Sequence, residues 1–290
     1  MITFYQLGNL GRLGNQMFQY AALRGLCLES GYDCKLPDLS SKTWHGQNCL
    51  LPELNIIDNP LTDADLSKIR FQYNEQDPMR YDGKFFNTPD NTNLSGFFQS
   101  IKYFENHQHI IKKELTPKTK HLDKAASQIA EIKNRYPGYD IVSLHIRRGD
   151  NTDSTDLSQY KLREFYNPGG GFDQYLQNAT KIFENKRVKF LIFTGGKRWV
   201  DDNSQDIQWC RERLNGDDFI FSPGSSTIED FCLIMKSDHN IISHVSSFGW
   251  WAAFLNDYPD SITVAPACYH PDIDGFTHRE GFYPSRWTLV

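Results

Sequence analysis

The apolar run Ile141-Val142-Ser143-Leu144 passes directly into His145-Ile146-Arg147-Arg148-Gly149-Asp150. Its length and branched residues predict a buried strand, so two arginines, a histidine and an aspartate stand where that strand ends. After Pro137-Gly138 the pattern alternates strands with helices, which calls for parallel βαβ packing. In open sheets of that kind ligands bind at the carboxyl ends of strands. Adjacent arginines there fit a polyanion, because the guanidinium fork matches phosphate oxygens two at a time. Successive strand residues point to opposite sides, so the two have different tasks: one holds phosphate while the other pairs with Asp150. A surface ion-pair cluster accounts for the same six residues, and only the rest of the chain weighs against it.

That rest is a chain of 290 residues, 39% apolar and 14% aromatic, enough to bury a sizeable core. It fits one large α/β domain or two modest ones. With 31 basic against 36 acidic residues, nucleic-acid binding through bulk charge is disfavoured and an anion site must be local. Cys27, Cys34, Cys49, Cys210, Cys232 and Cys268 form no C-x-x-C pair and read as scattered thiols. Apolar runs fall short of a membrane span. Met1 to Leu7 lacks a basic region followed by an apolar block. The expectation is a soluble, cytoplasmic protein without a transmembrane segment, with peripheral membrane association left open.

The first lobe is expected over 1–137 and the second over 138–290. Ile2 to Leu7 reads as a strand, followed by Gly8, Gly11 and Gly14 and by a helix from Gln16 to Ser30 that is apolar nearly all round and ends at Gly31. The spacing is G-x-x-G-x-x-G rather than G-x-G-x-x-G, and Asp33 comes too early to close a second strand, which disfavours a nicotinamide or flavin site. Arg12, Asn15 and Gln16 add polar donors at the helix start. Trp44, His45, Asn48 and Tyr73 admit either a sugar site or loop packing. Ser95 to Leu115 reads as helical.

In the second half, Asn151 to Gly171 reads as a polar loop. The strand Lys189 to Phe193 ends at Thr194-Gly195-Gly196. Ser226-Thr227-Ile228-Glu229 reads as a capping box, with Asp230 just inside the helix it opens. Asp230 there is either a dipole-favoured first-turn acid or an acceptor for a purine's ring N–H and amino group. Ser246 and Ser247 open a second, nearly all-apolar helix, as caps or as part of an anion pocket. No histidine–carboxylate spacing suggests a metal site.

Four stretches in order resemble glycosyltransferase family 11, in particular its bacterial alpha-1,2-fucosyltransferases. They are Gly11 to Ala21; Gly96-Phe97-Phe98-Gln99-Ser100 with Tyr103-Phe104; His145 to Asp150, which is similar to an H-x-R-R-x-D motif shared among fucosyltransferases; and Asp230-Phe231 through Ser246 to Trp251. The resemblance implies an α/β, GT-B-like fold of two Rossmann-like lobes with a cleft between them. It implies an enzyme that inverts the anomeric centre and needs no metal or cofactor. GDP-fucose is the implied donor, and a glycan is the acceptor, through O2 of a terminal galactose.

Carried onto this chain, the resemblance puts the β-phosphate at Arg147, with Arg148 structuring the site. His145 and Asp230 meet guanine, and Ser246, Ser247 and Phe248 hold the diphosphate. Asn15 reaches the donor from the first lobe; Gly14, Gln16 and Thr194 complete the donor set. Asp150 is the first candidate for the base, or else it pairs with Arg148. Where relatives carry Ser/Thr-Asp-Asp, this chain has Thr194-Gly195-Gly196, with Asp201 and Asp202 several residues later, which leaves the sugar preference open. Transfer of another sugar from another nucleotide, or an inactive glycan- or GDP-binding protein of this fold, are the alternatives.

Overall fold

A computed structural model describes residues 1–153, 162–196, 203–224, 226–268 and 281–290. Asp201 and Asp202 lie outside the described residues, as does part of the stretch from Asn151 to Gly171. The chain divides into two compact α/β units: Met1–Lys118 with Arg279–Pro284, and Thr119–His278 with Ser285–Val290. By compactness the second unit therefore starts at Thr119, not at residue 138. The helix Thr119–Arg135 turns Ala125, Ile129 and Ile132 inward. It is fastened to the second unit by Lys133 to Asp238 at 2.6 Å and by Lys124 to Glu229.

The first unit holds a four-stranded parallel sheet ordered β2 (Cys34–Lys35), β1 (Ile2–Thr3), β6 (Thr92–Ser95), β5 (Phe71–Asn74). A hairpin of β3 (Thr43–Trp44) and β4 (Gln47–Asn48) stands apart from it. β1 is shorter than its apolar run suggested, because Leu7 N–H bonds back to Phe4 and the chain turns into the glycine loop. The helix that follows, Leu13–Ser30, starts three residues earlier than expected and buries 13 of its 18 residues. It ends on Gly31 at φ 68°, the left-handed cap that glycine adopts without a Cβ penalty.

Between Gly96 and Ser100 the chain is not helical. Glu75 accepts the backbone N–H groups of Phe97 at 2.7 Å and Phe98 at 2.9 Å, and Phe98 sits at φ 51°. Those carboxylate bonds hold a conformation that a phenylalanine otherwise avoids. Phe98 is fully buried among Phe4, Tyr73, Phe85 and Tyr103.

The second unit is built on a six-stranded, wholly parallel sheet. Its order is β12 (Thr288–Leu289), β11 (Thr263–Ala265), β10 (His239–Ile241), β7 (Asp140–Ile146), β8 (Val188–Thr194), β9 (Phe219–Phe221). β7 is buried at six of seven positions, as a central strand covered on both faces must be. The chain builds outward from β7 through β8 and β9, then returns to β7's other side with β10. The strand order therefore reverses between β7 and β10. β7 and β8 pair in register from Asp140↔Val188 to Ile146↔Thr194, so both strands end level. Arg147 and Gly195 leave the sheet together.

Among the described residues no helix is long and apolar enough to cross a membrane. All six cysteines are free thiols, five of them buried.

Candidate active site

The strand order reverses between β7 and β10, the place at the strands' carboxyl ends where sheets of this kind bind ligands, and there the local sequence concentrates polar groups. Arg147 is the first residue past β7. Its backbone N–H donates to Ser243 Oγ at 2.9 Å, and its carbonyl accepts from the Tyr166 hydroxyl at 2.9 Å and Asn151 Nδ2 at 3.2 Å. Its guanidinium donates through Nη1 to the carbonyls of Gly195 at 3.0 Å and Gly196 at 2.8 Å, and through Nη2 to Asp150.

The glycine pair after β8 thereby acquires a reason. A Cβ on Gly196 would lie 2.0 Å from Arg147 Nη1, and its φ is 101°. What approaches the glycine backbone is the protein's own arginine. Thr194 is turned inward, its hydroxyl donating to Ile146 at 3.0 Å.

Arg148 faces away from Arg147, as strand alternation requires, but its partner is Asp206 at 3.1 Å rather than Asp150. Its guanidinium lies 4.0 Å over the Trp209 ring, and Arg213 covers the same indole at 4.7 Å. Asp206 also accepts the Gly149 N–H at 3.2 Å. Arg148 thus braces the turn that presents Arg147. Tyr166, held by burial at a pKa pushed up to about 12, remains a neutral hydroxyl in that brace.

His145 precedes the arginines on β7 and is 7% exposed. Burial, reinforced by the Arg147 charge, pushes its pKa down to about 3, so it is a neutral imidazole. Its Nδ1 lies 3.4 Å from Ser246 Oγ and its ring 5.7 Å from that of Phe248. A Cβ on Gly249 would meet Nδ1 at 2.7 Å, which is why a glycine stands in the helix's first turn here.

That helix, Ser247–Phe254, is capped by Ser246, whose Oγ accepts from Gly249 N–H at 3.2 Å. Val245, just before the cap, has φ 52°. A β-branched residue held there costs roughly 1–3 kcal/mol, a kind of strain that gathers at functional sites. Ser246, Ser247 and Phe248 occupy the helix's positive end, where first-turn N–H groups attract anions.

Asp230 lies in the first turn of the helix Thr227–Lys236, capped by Ser226. Only half of the expected capping box forms: Ser226 Oγ accepts from Glu229 N–H, while the Glu229 carboxylate turns to Lys124. Ser222, the residue following β9, donates to Asp230 Oδ1 at 2.8 Å. Burial pushes the Asp230 carboxyl up to about 6, against the Ser222 bond and with the help of Glu229. Phe231, next to it, packs at 5.4 Å against the Phe248 ring.

In the first unit, Asn15 Oδ1 accepts from Gln99 Nε2 at 2.6 Å, which joins the first two of the four sequence stretches. A Cβ on Gly11 would meet Asn15 Nδ2 at 2.4 Å. Gly14 is buried in the helix's first turn. Gln16 is engaged within its own lobe. It is 2% exposed, its Nε2 donates to Gly8 and Gly11 carbonyls at 3.2 and 2.8 Å, and its Oε1 accepts from Cys49. It ties the glycine loop to the helix. Tyr73 is likewise spent on Asp82 at 2.7 Å.

Sequence reasoning missed Tyr166, Asp206 and Trp209, which carry no local signal. Ser222 directly follows β9 and Ser243 lies two residues past β10, so their signal is position at a strand's carboxyl end. Among the described residues no group of three His, Cys, Asp or Glu is arranged to hold a metal ion.

This architecture matches a sequence family along its whole length: the model for glycosyl transferase family 11 covers residues 2–290. The chain belongs to that family. It is therefore a glycosyltransferase. The chain is 27% identical over 285 residues to an alpha-1,2-colitosyltransferase of Escherichia coli, across 88% of this chain and 89% of that one. It is 26% identical over 297 residues to galactoside alpha-(1,2)-fucosyltransferase 2 of Hylobates lar, across 99% of this chain and 79% of the relative. Among solved structures, fucosyltransferase NodZ from Bradyrhizobium superposes with TM-score 0.50 at 13% identity, across 87% of this chain and 91% of that one. POFUT1 in complex with GDP gives 0.50 at 10% identity, across 90% and 95%. At such identities these structures speak for the fold, the two-lobed GT-B type that the sequence motifs imply.

Proposed function

We propose that this glycosyltransferase moves fucose from GDP-fucose to O2 of a terminal galactose on a glycan acceptor, with inversion and without a metal. The observation that carries the proposal is Arg147, set at the strand-order reversal beside the Ser246-capped helix end. Both supply fixed positive charge where a diphosphate leaving group would develop negative charge. Such preorganised donors are the largest single contribution to many enzymes' rates. The neutral His145 and the carboxylate of Asp230 offer the hydrogen-bonding groups a guanine edge requires. Ser247 and Phe248 complete the proposed diphosphate seat.

In the proposed reaction the acceptor oxygen bonds to C1 and its proton passes to Asp150. The electron pair of the C1–O bond leaves on the β-phosphate. Asn15 keeps its place in the catalytic set through the motif match and its fixed amide. A cytoplasmic location fits six free thiols, which suit a reducing compartment.

A second donor is favoured by a specific observation. The relative named a colitosyltransferase is as similar as those named fucosyltransferases. Colitose is fucose without its 3-hydroxyl, so the same site chemistry could take either.

The test is product formation from GDP-fucose and from GDP-colitose with a terminal-galactose acceptor, in EDTA and again with Mg²⁺. Transfer in EDTA is expected. Arg147→Ala should lower turnover by about 10²–10³ while the protein still melts cooperatively. Turnover like wild type in that variant, or activity only with Mg²⁺, would refute the reading.

A further inference from the structure

Arg147 is held in two chemically different ways. Its backbone and one edge of its guanidinium are fixed by neutral groups: Ser243, Tyr166, Asn151 and the carbonyls of Gly195 and Gly196. Its anionic partner is Asp150, three residues on and 12% exposed. A guanidinium has five N–H donors. Two on Nη1 and one on Nη2 are engaged; among the described residues Nε–H and one Nη2 hydrogen have no acceptor.

A phosphate using those two donors would lie beside the Asp150 carboxylate. Neutral carbonyls tolerate that neighbour; a like charge opposes it. The main-chain clamp keeps Arg147 in place whether or not the carboxylate stays.

We propose that Asp150 is an exchangeable counter-ion for Arg147, which the donor's diphosphate displaces. The inference rests on the reading of this site as a nucleotide-sugar site. Binding of donor transfers the arginine from carboxylate to phosphate. A carboxylate relieved of its cation accepts a proton more readily. The acceptor hydroxyl then gives its proton to Asp150 as its oxygen bonds to C1, and the C1–O pair departs with GDP. Base and leaving-group stabiliser are two settings of one ion pair, and the donor has to bind before the base is competent.

A merely structural ion pair makes the opposite forecast, because its loss would loosen Arg147 and weaken anion binding. The experiment is calorimetric titration of wild type, Asp150→Asn and Asp150→Ala with GDP and with inorganic pyrophosphate, alongside initial transfer rates. Asp150→Asn should bind both ligands about tenfold more tightly, or about 1.4 kcal/mol, while transfer falls at least tenfold. Asp150→Ala takes its place if the amide variant does not melt cooperatively. Unchanged or weaker binding of both ligands in the folded variant overturns the proposal. Tighter pyrophosphate binding with no GDP binding in any form would sink the nucleotide reading and leave the exchange standing. Wild type that binds neither ligand overturns both.

Discussion

Asp230 gives the sharpest test of the proposed nucleotide pocket, because the proposed function and stability pull its ionisation in opposite directions. Accepting a guanine's ring N–H and amino group requires the carboxylate. Burial beside Ser222 pushes the carboxyl to about 6. Bound guanine would favour the ionised form, so affinity is full above that value and falls as pH drops through it. An acid with that pKa is about 97% ionised at pH 7.5 and roughly a quarter ionised at pH 5.5. Guanosine affinity should therefore hold from pH 8 to 7 and lose about tenfold per pH unit well below 6. Guanosine is the right probe, because GDP's terminal phosphate itself titrates near 6. His145, already neutral, adds nothing to this window.

For folding the sign is reversed. The folded pKa lies above the unfolded one, so Asp230's contribution is most favourable below about pH 4 and is lost as pH rises through 6. At neutral pH the charged group costs roughly 2–3 kcal/mol of stability, discounted for partial exposure. Asp230→Asn should thus melt several degrees higher at pH 7.5 and bind guanosine at least tenfold more weakly, with the two proteins converging near pH 4. Calorimetry and thermal melts across that range read both. Guanosine affinity that stays flat from pH 8 to 5 in wild type, or an Asp230→Asn protein that melts no higher, would refute the reasoning.

Two further substitutions probe how Arg147 is held. Gly196→Ala should reduce GDP affinity tenfold or more by calorimetry, since its Cβ would overlap Arg147 Nη1 and φ 101° disfavours any side chain. Tyr166→Phe removes a buried hydroxyl from Arg147 and Ser243; about 1–2 kcal/mol of stability should be lost in urea denaturation, with a lower kcat and a nearly unchanged donor KM.

The second unit's central strand was legible because a run of branched apolar residues that stops at charged groups is the pattern of a buried strand. The helix Leu13–Ser30 was legible too, being apolar all round. Partner choice was not. Alternation correctly sent the arginines to opposite sides, yet Asp150 went to Arg147. Arg148 was captured by Asp206 and Trp209, some 58 residues downstream, on a helix whose position no local pattern gives. Gln16 looked like a ligand because it is polar beside an apolar helix; its amide instead serves the carbonyls of its own glycine loop. The stretch 96–100 reads as helical only as the start of the run to Leu115, and it departs from that reading at Phe97 and Phe98. Glu75, far off in sequence, commandeers their N–H groups.

The division of the chain bears on how such enzymes could be recombined. The first unit takes back a late segment: Gly281's carbonyl accepts from Ile101 N–H at 2.8 Å, and Phe282 stacks on Phe18 at 5.8 Å. The chain then rejoins the second unit, where Trp287 lies 5.5 Å from Trp250. Splicing the front of one family member to the back of another at Lys118 would therefore leave the first unit completed by a segment from the other parent, while the second unit stays whole. A chimera meant to exchange whole lobes needs three junctions and must carry 279–284 along with the front. A graft with a single crossover inherits mismatched aromatic packing before any question of substrate arises.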